Sequence, residues 1–405
     1  MSVLARYAEV LRPPGARAAL AASTVGRLSL SSTGLGALLL TRASTGSYAA
    51  AGAVSAAYAI SFALAAPGRA RSADRVGPVR VLVRCGLLHP LALLALVLLA
   101  GQDAPAVALA GAAMAAGVTV PPIGSVMRAL WGDLAPGPAL QAAYSLESVV
   151  VELCFVVGPL LVAGLTALFD PAAPVLAAAV LAAGGALWLA RVPRLRAVEP
   201  HADRPTSMAG PLVSAAVRAQ LLTVLWIGVG FGAIEVAVPA FVEEHSSRPS
   251  AAGVVLAVWS LGSVLGGLVY GGLHPRAGAH RQLPVLVGAL AIGAVLPVLS
   301  PGVLLLCVAL FAYGSTIAPF SACNSVLLGA SAPAGTLTEV FAWNGSMIFG
   351  GAALGSALAG QLVGPYGAVA ALLITAAAGL LTLLSSVIGL SALRAGASVS
   401  APAAR

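Results

Sequence analysis

Apolar residues run along this chain in blocks of about twenty, separated by short stretches rich in Arg, Pro, Gly and Asp. A helix needs roughly 20 mostly apolar residues to cross a bilayer. Read between the loop signals, the pattern predicts about twelve such helices. They start near residues 18, 47, 79, 104, 140, 172, 220, 250, 283, 302, 337 and 366. A shorter amphipathic pattern precedes them. Leu4, Tyr7, Ala8 and Leu11 fall at i, i+3, i+4 and i+7, with Arg6 and Arg12 nearby, so an interfacial helix stopped by Pro13 and Pro14 is expected. The first long block then reads as an uncleaved span rather than a signal peptide.

Composition turns the pattern into a class. Only 8% of residues are charged and 60% are hydrophobic, whereas soluble domains carry about 25% charge. So few charges cannot coat a water-soluble surface. The 405-residue chain reads as an all-α polytopic membrane protein embedded in a lipid bilayer. Every cationic side chain is Arg. With the N-terminus inside, the cytoplasmic segments hold Arg6, Arg12, Arg17, Arg69, Arg71, Arg75, Arg80, Arg84 and Arg128. They also hold Arg191, Arg194, Arg196, Arg204, Arg218, Arg276, Arg281, Arg394 and Arg405. The outer loops keep only Arg42 and Arg248, beside Asp103, Asp170, Glu243 and Glu244. This follows the positive-inside rule and puts both termini in the cytoplasm of a bacterial cell membrane. It also removes the case for a nucleic-acid partner that the net charge of +8 would raise.

Cys85, Cys154, Cys307 and Cys323 lie in or beside apolar segments with no CxxC spacing, and read as small packed hydrophobes. His89, His201, His245, His274 and His280 show no metal-ligand spacing. No metal or cofactor is expected. No Ser-His pair, GxSxG or GxxxxGK[ST] points to an enzyme.

The longest polar interval, roughly 191–212, contains Pro193, Pro200 and Pro205 and divides two halves that look alike, 1–190 and 213–405. Gly117, Thr119, Pro122, Leu130, Gly132, Ala135, Pro136, Leu140 and Gly158 match Gly314, Thr316, Pro319, Leu327, Gly329, Ala332, Pro333, Leu337 and Gly355 at one offset, 314 − 117 = 197. Ala51, Gly52, Arg75, Gly77 and Arg80 match Ala252, Gly253, Arg276, Gly278 and Arg281 (252 − 51 = 201). A constant offset through loops as well as spans points to a duplicated six-helix unit.

Twelve spans in two pseudo-symmetric six-helix bundles, joined by a long central loop, resemble the major facilitator superfamily. The stretch Ser-Ala-Asp-Arg-Val-Gly-Pro-Val-Arg at 72–80 looks like that family's Gly-x-x-x-Asp-Arg-x-Gly loop signature, with Asp74, Arg75, Gly77 and Arg80 in the matching positions. Ala70 replaces the first glycine, and Pro78-Val79 displaces the last basic residue. The resemblance implies a cytoplasmic latch between the second and eleventh helices in the outward-facing state, which Glu339 and Arg128 could join. Gly158-Pro159 followed by Ala163-Gly164 resembles the Gly-Pro signature of the family's antiporters. The segments 121–131 and 145–152, with Arg27, are similar to those of actinobacterial members assigned as drug-efflux-like transporters.

Charges inside spans are the candidate chemistry, since a carboxylate at mid-membrane costs at least ~2.5–3.5 kcal/mol. Gln141, Ser145, Ser148 and Glu152 form one polar stripe on the fifth span, and Ser23, Arg27 and Ser31 form another on the first. Arg27 stays charged and needs a counter-ion. The expected pair is Arg27 with Glu152, while Glu147 faces a helix contact or Arg128. Glu235 lies toward the outer end of span seven. A buried ion pair of this kind serves either to lock helices together or to exchange protons. Tyr313, Asn324, Trp343 and Asn344 are further cavity candidates, and Tyr144 matches Phe341 across the repeat. The expected function is secondary transport by a monomer, with proton-coupled efflux of a small amphiphilic molecule as the first reading. A sugar or metabolite importer is the rival, and a non-transporting sensor or accessory protein the alternative from another class.

Overall fold

The computed structural model describes residues 3–198, 209–245, 251–273 and 278–399. Arg204, Arg248, Arg276 and Arg405, and residues 199–208 of the expected linker, lie outside them. All regular structure among the described residues is helical.

The order is α1 (Val3–Val10), α2 (Ala16–Thr45), α3 (Tyr48–Val76), α4 (Pro78–Ala100), α5 (Ala106–Thr119), α6 (Ile123–Leu134) and α7 (Ala139–Leu168). Then come α8 (Ala173–Leu189), the single turn α9 (Pro193–Arg196), α10 (Ala215–His245), α11 (Ala251–Gly272), α12 (Ala279–Val295), α13 (Val303–Ser331) and α14 (Leu337–Val399). Each expected span start lies within five residues of a helix start, the widest gap being 220 against Ala215; the start near 366 falls where α14 breaks at Gly367. Gly367 has φ 79° and ψ 177°, which favours glycine. Unbroken, the helix would run about 95 Å, some three times the hydrocarbon core. Among the described residues, nine helices are long and apolar enough to cross a membrane. α2 is long enough, but its serines, threonines and Arg27 keep it out of that set.

The duplication reappears as repeated packing. α3 lies along α5 as α11 lies along α13, and α2 approaches α7 as α10 approaches α14. A Cβ on Gly117 would collide with Ser61 and the Tyr58 carbonyl of α3; one on Gly314 would collide with the Trp259 carbonyl of α11. Gly158 meets Ser31 of α2 in the same way, and Gly355 meets the Val229 carbonyl of α10. Small residues there bring helices to backbone contact, which is how helices associate where lipid offers no hydrophobic contrast.

α1 differs from expectation. It docks on protein rather than presenting the predicted face: Arg6, Tyr7 and Val10 are buried and Ala8 is exposed. The reason is a supply of carbonyl acceptors. The Tyr7 hydroxyl is 3.1 and 3.0 Å from the Gly267 and Leu268 carbonyls of α11, and Arg6 donates to the Pro138 carbonyl before α7 (2.7 Å). Burial pushes the Tyr7 phenol up to about 12.

Candidate functional site

A cavity of about 790 Å³ lies between the two sequence halves, walled by parts of α2, α3, α6, α7, α10, α11, α13 and α14. Aromatic side chains form part of its wall. Phe349 meets Phe62 (centroids 5.5 Å apart) and Phe155 (6.4 Å), and Phe231 stands edge-on to Trp259 (5.3 Å). Into it come Arg27, Arg69 and Arg128 from α2, α3 and α6, Glu152 from α7 and Glu235 from α10.

Glu147 meets Arg128 as one of the sequence expectations had it, but the expected Arg27–Glu152 pair does not form. Arg27 bonds Glu147, not Glu152. Arg128 Nε reaches the same Glu147 oxygen at 3.2 Å, so two guanidinium groups share one carboxylate. Glu147 is fully buried and Arg27 is 8% exposed. Glu152 instead accepts a hydrogen bond from Ser263 of α11 at 2.9 Å, across the cavity. The reason lies in direction along the helix. Side chains lean toward their helix N-terminus, so the long Arg27 arm descends to the level of Glu147, nearer the start of α7.

Other expected positions divide. Asn324 and Asn344 line the cavity and bond each other (Nδ2 to Oδ1, 3.2 Å). Tyr313 does not line it; it is fully buried and stacked on Trp259 (6.3 Å). Trp343 also lies off the wall, half-buried against the core. Tyr144 and Phe341, the pair related by the repeat, touch each other (5.9 Å). Pro159 lines the cavity, while Gly158 serves the α2 contact.

The end of the molecule where α1 lies is tied across the two halves. Asp74 accepts the Thr338 and Glu339 N–H groups (3.1 and 3.0 Å), capping the start of α14. Glu339, fully buried, is gripped by Arg71 Nε (3.1 and 3.2 Å) and Nη2 (2.7 Å). The cation is thus Arg71; Arg75 and Arg80 are exposed, and Arg128 belongs to Glu147 instead of the latch. Gly77 (φ 95°) makes the turn into α4, with Pro78 opening that helix. Gly210, at the end of the linker, lies against the ion pair: a Cβ there would sit 2.6 Å from Glu339 Oε1 and 2.8 Å from Arg71 Nη2. Further ties rise to the cavity wall through Ser346 to the Ala63 carbonyl (2.8 Å) and Ser148 to Ser321 (3.3 Å).

Sequence reading did not assign a role to Arg71, Ser263 or Arg69. Arg69 had a signal in Pro121-Pro122, because consecutive prolines leave carbonyls in need of donors. Arg69 Nη1 donates to the Gly117 and Val118 carbonyls (3.0 and 2.7 Å). Among the described residues, no three His, Cys, Asp or Glu side chains come together as a metal ion would need.

A family model described as the Major Facilitator Superfamily matches residues 21–303. The chain belongs to that superfamily. Its fold is that of a transporter and not of an enzyme. Among solved structures, a bacterial homologue of the iron transporter ferroportin in an outward-facing state superposes with a TM-score of 0.78, at 15% identity, over 93% of this chain and 99% of that one. The human organic anion transporter gives 0.72 at 17% identity over 92% and 100%, and the E. coli fucose:proton symporter 0.69 at 12% over 92% and 98%. No curated protein sequence matches this chain.

Proposed function

We propose that this superfamily member is a proton-coupled secondary transporter that expels a small amphiphilic organic solute by alternating access. It works as a monomer in the bacterial cell membrane. Its twelve spans form two six-helix bundles, 1–190 and 213–405, joined by the cytoplasmic linker 191–212 with both termini inside. The observation that carries this reading is a cavity of about 790 Å³ between the two halves, with the Asp74 cap and the Arg71–Glu339 ion pair joining them on the α1 side. With α1 cytoplasmic, as the arginine distribution supports, that arrangement is the outward-facing state.

Coupling falls to Glu152. Arg27 is engaged by Glu147, which leaves Glu152 as a cavity carboxylate held by a serine that spans the halves. A carboxylate whose partner belongs to the other half changes surroundings when the halves rock. Its proton affinity changes with them, since desolvation, charge and hydrogen bonding set it. Glu235 is exposed on the cavity wall and serves as an entry point for protons or cationic groups. The aromatic wall favours a solute with an apolar body.

The test is flux in proteoliposomes containing the full chain. Solutes found by thermal shift are loaded inside, and an imposed pH gradient is dissipated as they exchange for protons. Solute movement that ignores the gradient overturns proton coupling; bound solutes that never cross overturn the transport reading.

A further inference from the structure

α5 and α6 part at Val120, Pro121 and Pro122, and all three residues line the cavity. In an unbroken helix the N–H groups of residues 121 and 122 would bond the carbonyls of Gly117 and Val118, but proline has no N–H. Arg69 supplies both missing donors, and His89 Nδ1 reaches the Ala116 carbonyl at 2.9 Å. The second half is an internal control. At the matching positions α13 carries Ala318 and Pro319 and stays helical, and the residue matching Arg69 is Tyr270 (69 + 201). The break is therefore a supported feature of the first half alone.

Its product is a second helix start inside the cavity wall. α6 opens after Pro122 without a side-chain cap, and the Gly124 and Ser125 N–H groups have no hydrogen-bond partner among the described residues. Such a turn attracts negative charge. Beside it lies Arg27, more than nine-tenths buried, with Nη2 3.4 Å from the Gly124 carbonyl. Its Nη2 and Nε are the atoms nearest to a Cβ built on Gly124, at 3.6 and 3.7 Å; within its ion pair, Nη1 and Glu147 Oε2 are both buried without a partner. The charges here do not balance. Arg27 and Arg128 share Glu147, and Glu152 is turned to Ser263. Guanidinium does not deprotonate, so Arg27 and Arg128 set two positive charges against the one carboxylate that bonds them, next to a helix start.

We propose that Arg27 and the first turn of α6 form the subsite for the anionic head, carboxylate or sulfonate, of an organic monoanion whose apolar body lies along Phe62, Phe155 and Phe349. The inference names the substrate class of the transport cavity and rests on that reading only in making the bound anion cargo.

The test uses the full chain in lipid nanodiscs and calorimetric titration with octanoate and with octanamide, a neutral molecule of the same length. Octanoate binds about tenfold more tightly or better, the worth of one charge-assisted contact. Arg27→Gln leaves Arg128 and Glu147 as a one-to-one pair, so it folds and loses the preference. Gly124→Asp sets a tethered carboxylate against Arg27; it raises the melting temperature and loses the octanoate preference while octanamide binding persists. Equal binding of the two probes by the natural chain, or a preference that survives both variants, overturns the proposal. Failure of transport looks different: the octanoate preference stays, yet octanesulfonate does not cross proteoliposome membranes any faster than in protein-free liposomes.

Discussion

Arg71 near the end of α3 holds Glu339 in the first turn of α14 through two nitrogens, joining positions 268 residues apart. Glu339→Gln removes the charge from the buried side, while Arg71, a quarter exposed, keeps part of its hydration. The loss is therefore below the ~3–5 kcal/mol of a fully buried pair, about 1–2 kcal/mol, or a five- to thirty-fold population shift. Spin labels on Ser72→Cys and Ala334→Cys report it as a longer distance population. An unchanged distance distribution would mean that the pair does not hold the latch.

Glu147 is the one carboxylate shared by two guanidinium groups, so Glu147→Gln leaves both without it. It destabilises by about 3–5 kcal/mol, whereas Arg128→Gln leaves a balanced pair and costs less. Thermal unfolding of the two variants in the same detergent gives the order. The reverse order would show that Arg128 has a partner of greater weight.

Glu152→Gln keeps an oxygen for Ser263 to donate to, so the fold and the contact between α7 and α11 survive. Transport driven by a pH gradient disappears, and exchange of solute for solute at equal pH remains. Gradient-driven flux at the natural rate would move the coupling site elsewhere.

Arg69→Ala strands the part-buried Gly117 carbonyl, at roughly 1–3 kcal/mol for a buried group left unpaired, and removes a donor from the exposed Val118 carbonyl at smaller cost. Pro121→Ala with Pro122→Ala restores the N–H groups and makes Arg69 dispensable. The four proteins of this double-mutant cycle show coupling of that size in unfolding free energy; strict additivity would show that Arg69 does not stand in for the missing donors.

Tyr7 gives a pH dependence with a definite sign. Its folded-state value of about 12 lies above the ordinary 10, so the neutral phenol is favoured by folding. The stability it adds is complete below pH 10 and is lost as pH rises toward 12. Tyr7→Phe removes this part of the alkaline transition, and the difference between the two melting curves measures it.

The helix starts and the repeat were legible because both are written in apolar spacing and in small residues such as Gly117 and Gly314, which have few substitutes where backbones touch. Of the partners of the buried charges, Arg128 beside Glu147 was legible and those of Arg27 and Glu152 were not. Helical spacing separates the faces of Glu147 and Glu152, but which neighbour stands at each face depends on how α2 and α11 are set around α7. Arg27 and Ser263 come from those distant helices. Arg71 escaped notice for a related reason: the signature directs attention to Arg75, while the helix turn brings Arg71 to face α14. Tyr313 and Trp343 carry polar edges, yet aromatic bulk was better used in packing.

Gly210 rests its backbone on the Arg71–Glu339 pair, at the place where the tether between the two halves enters α10. Anything that displaces Gly210 toward the pair presses on two opposite charges. A bulky residue at 210 would wedge Arg71 and Glu339 apart at a position that does not line the cavity.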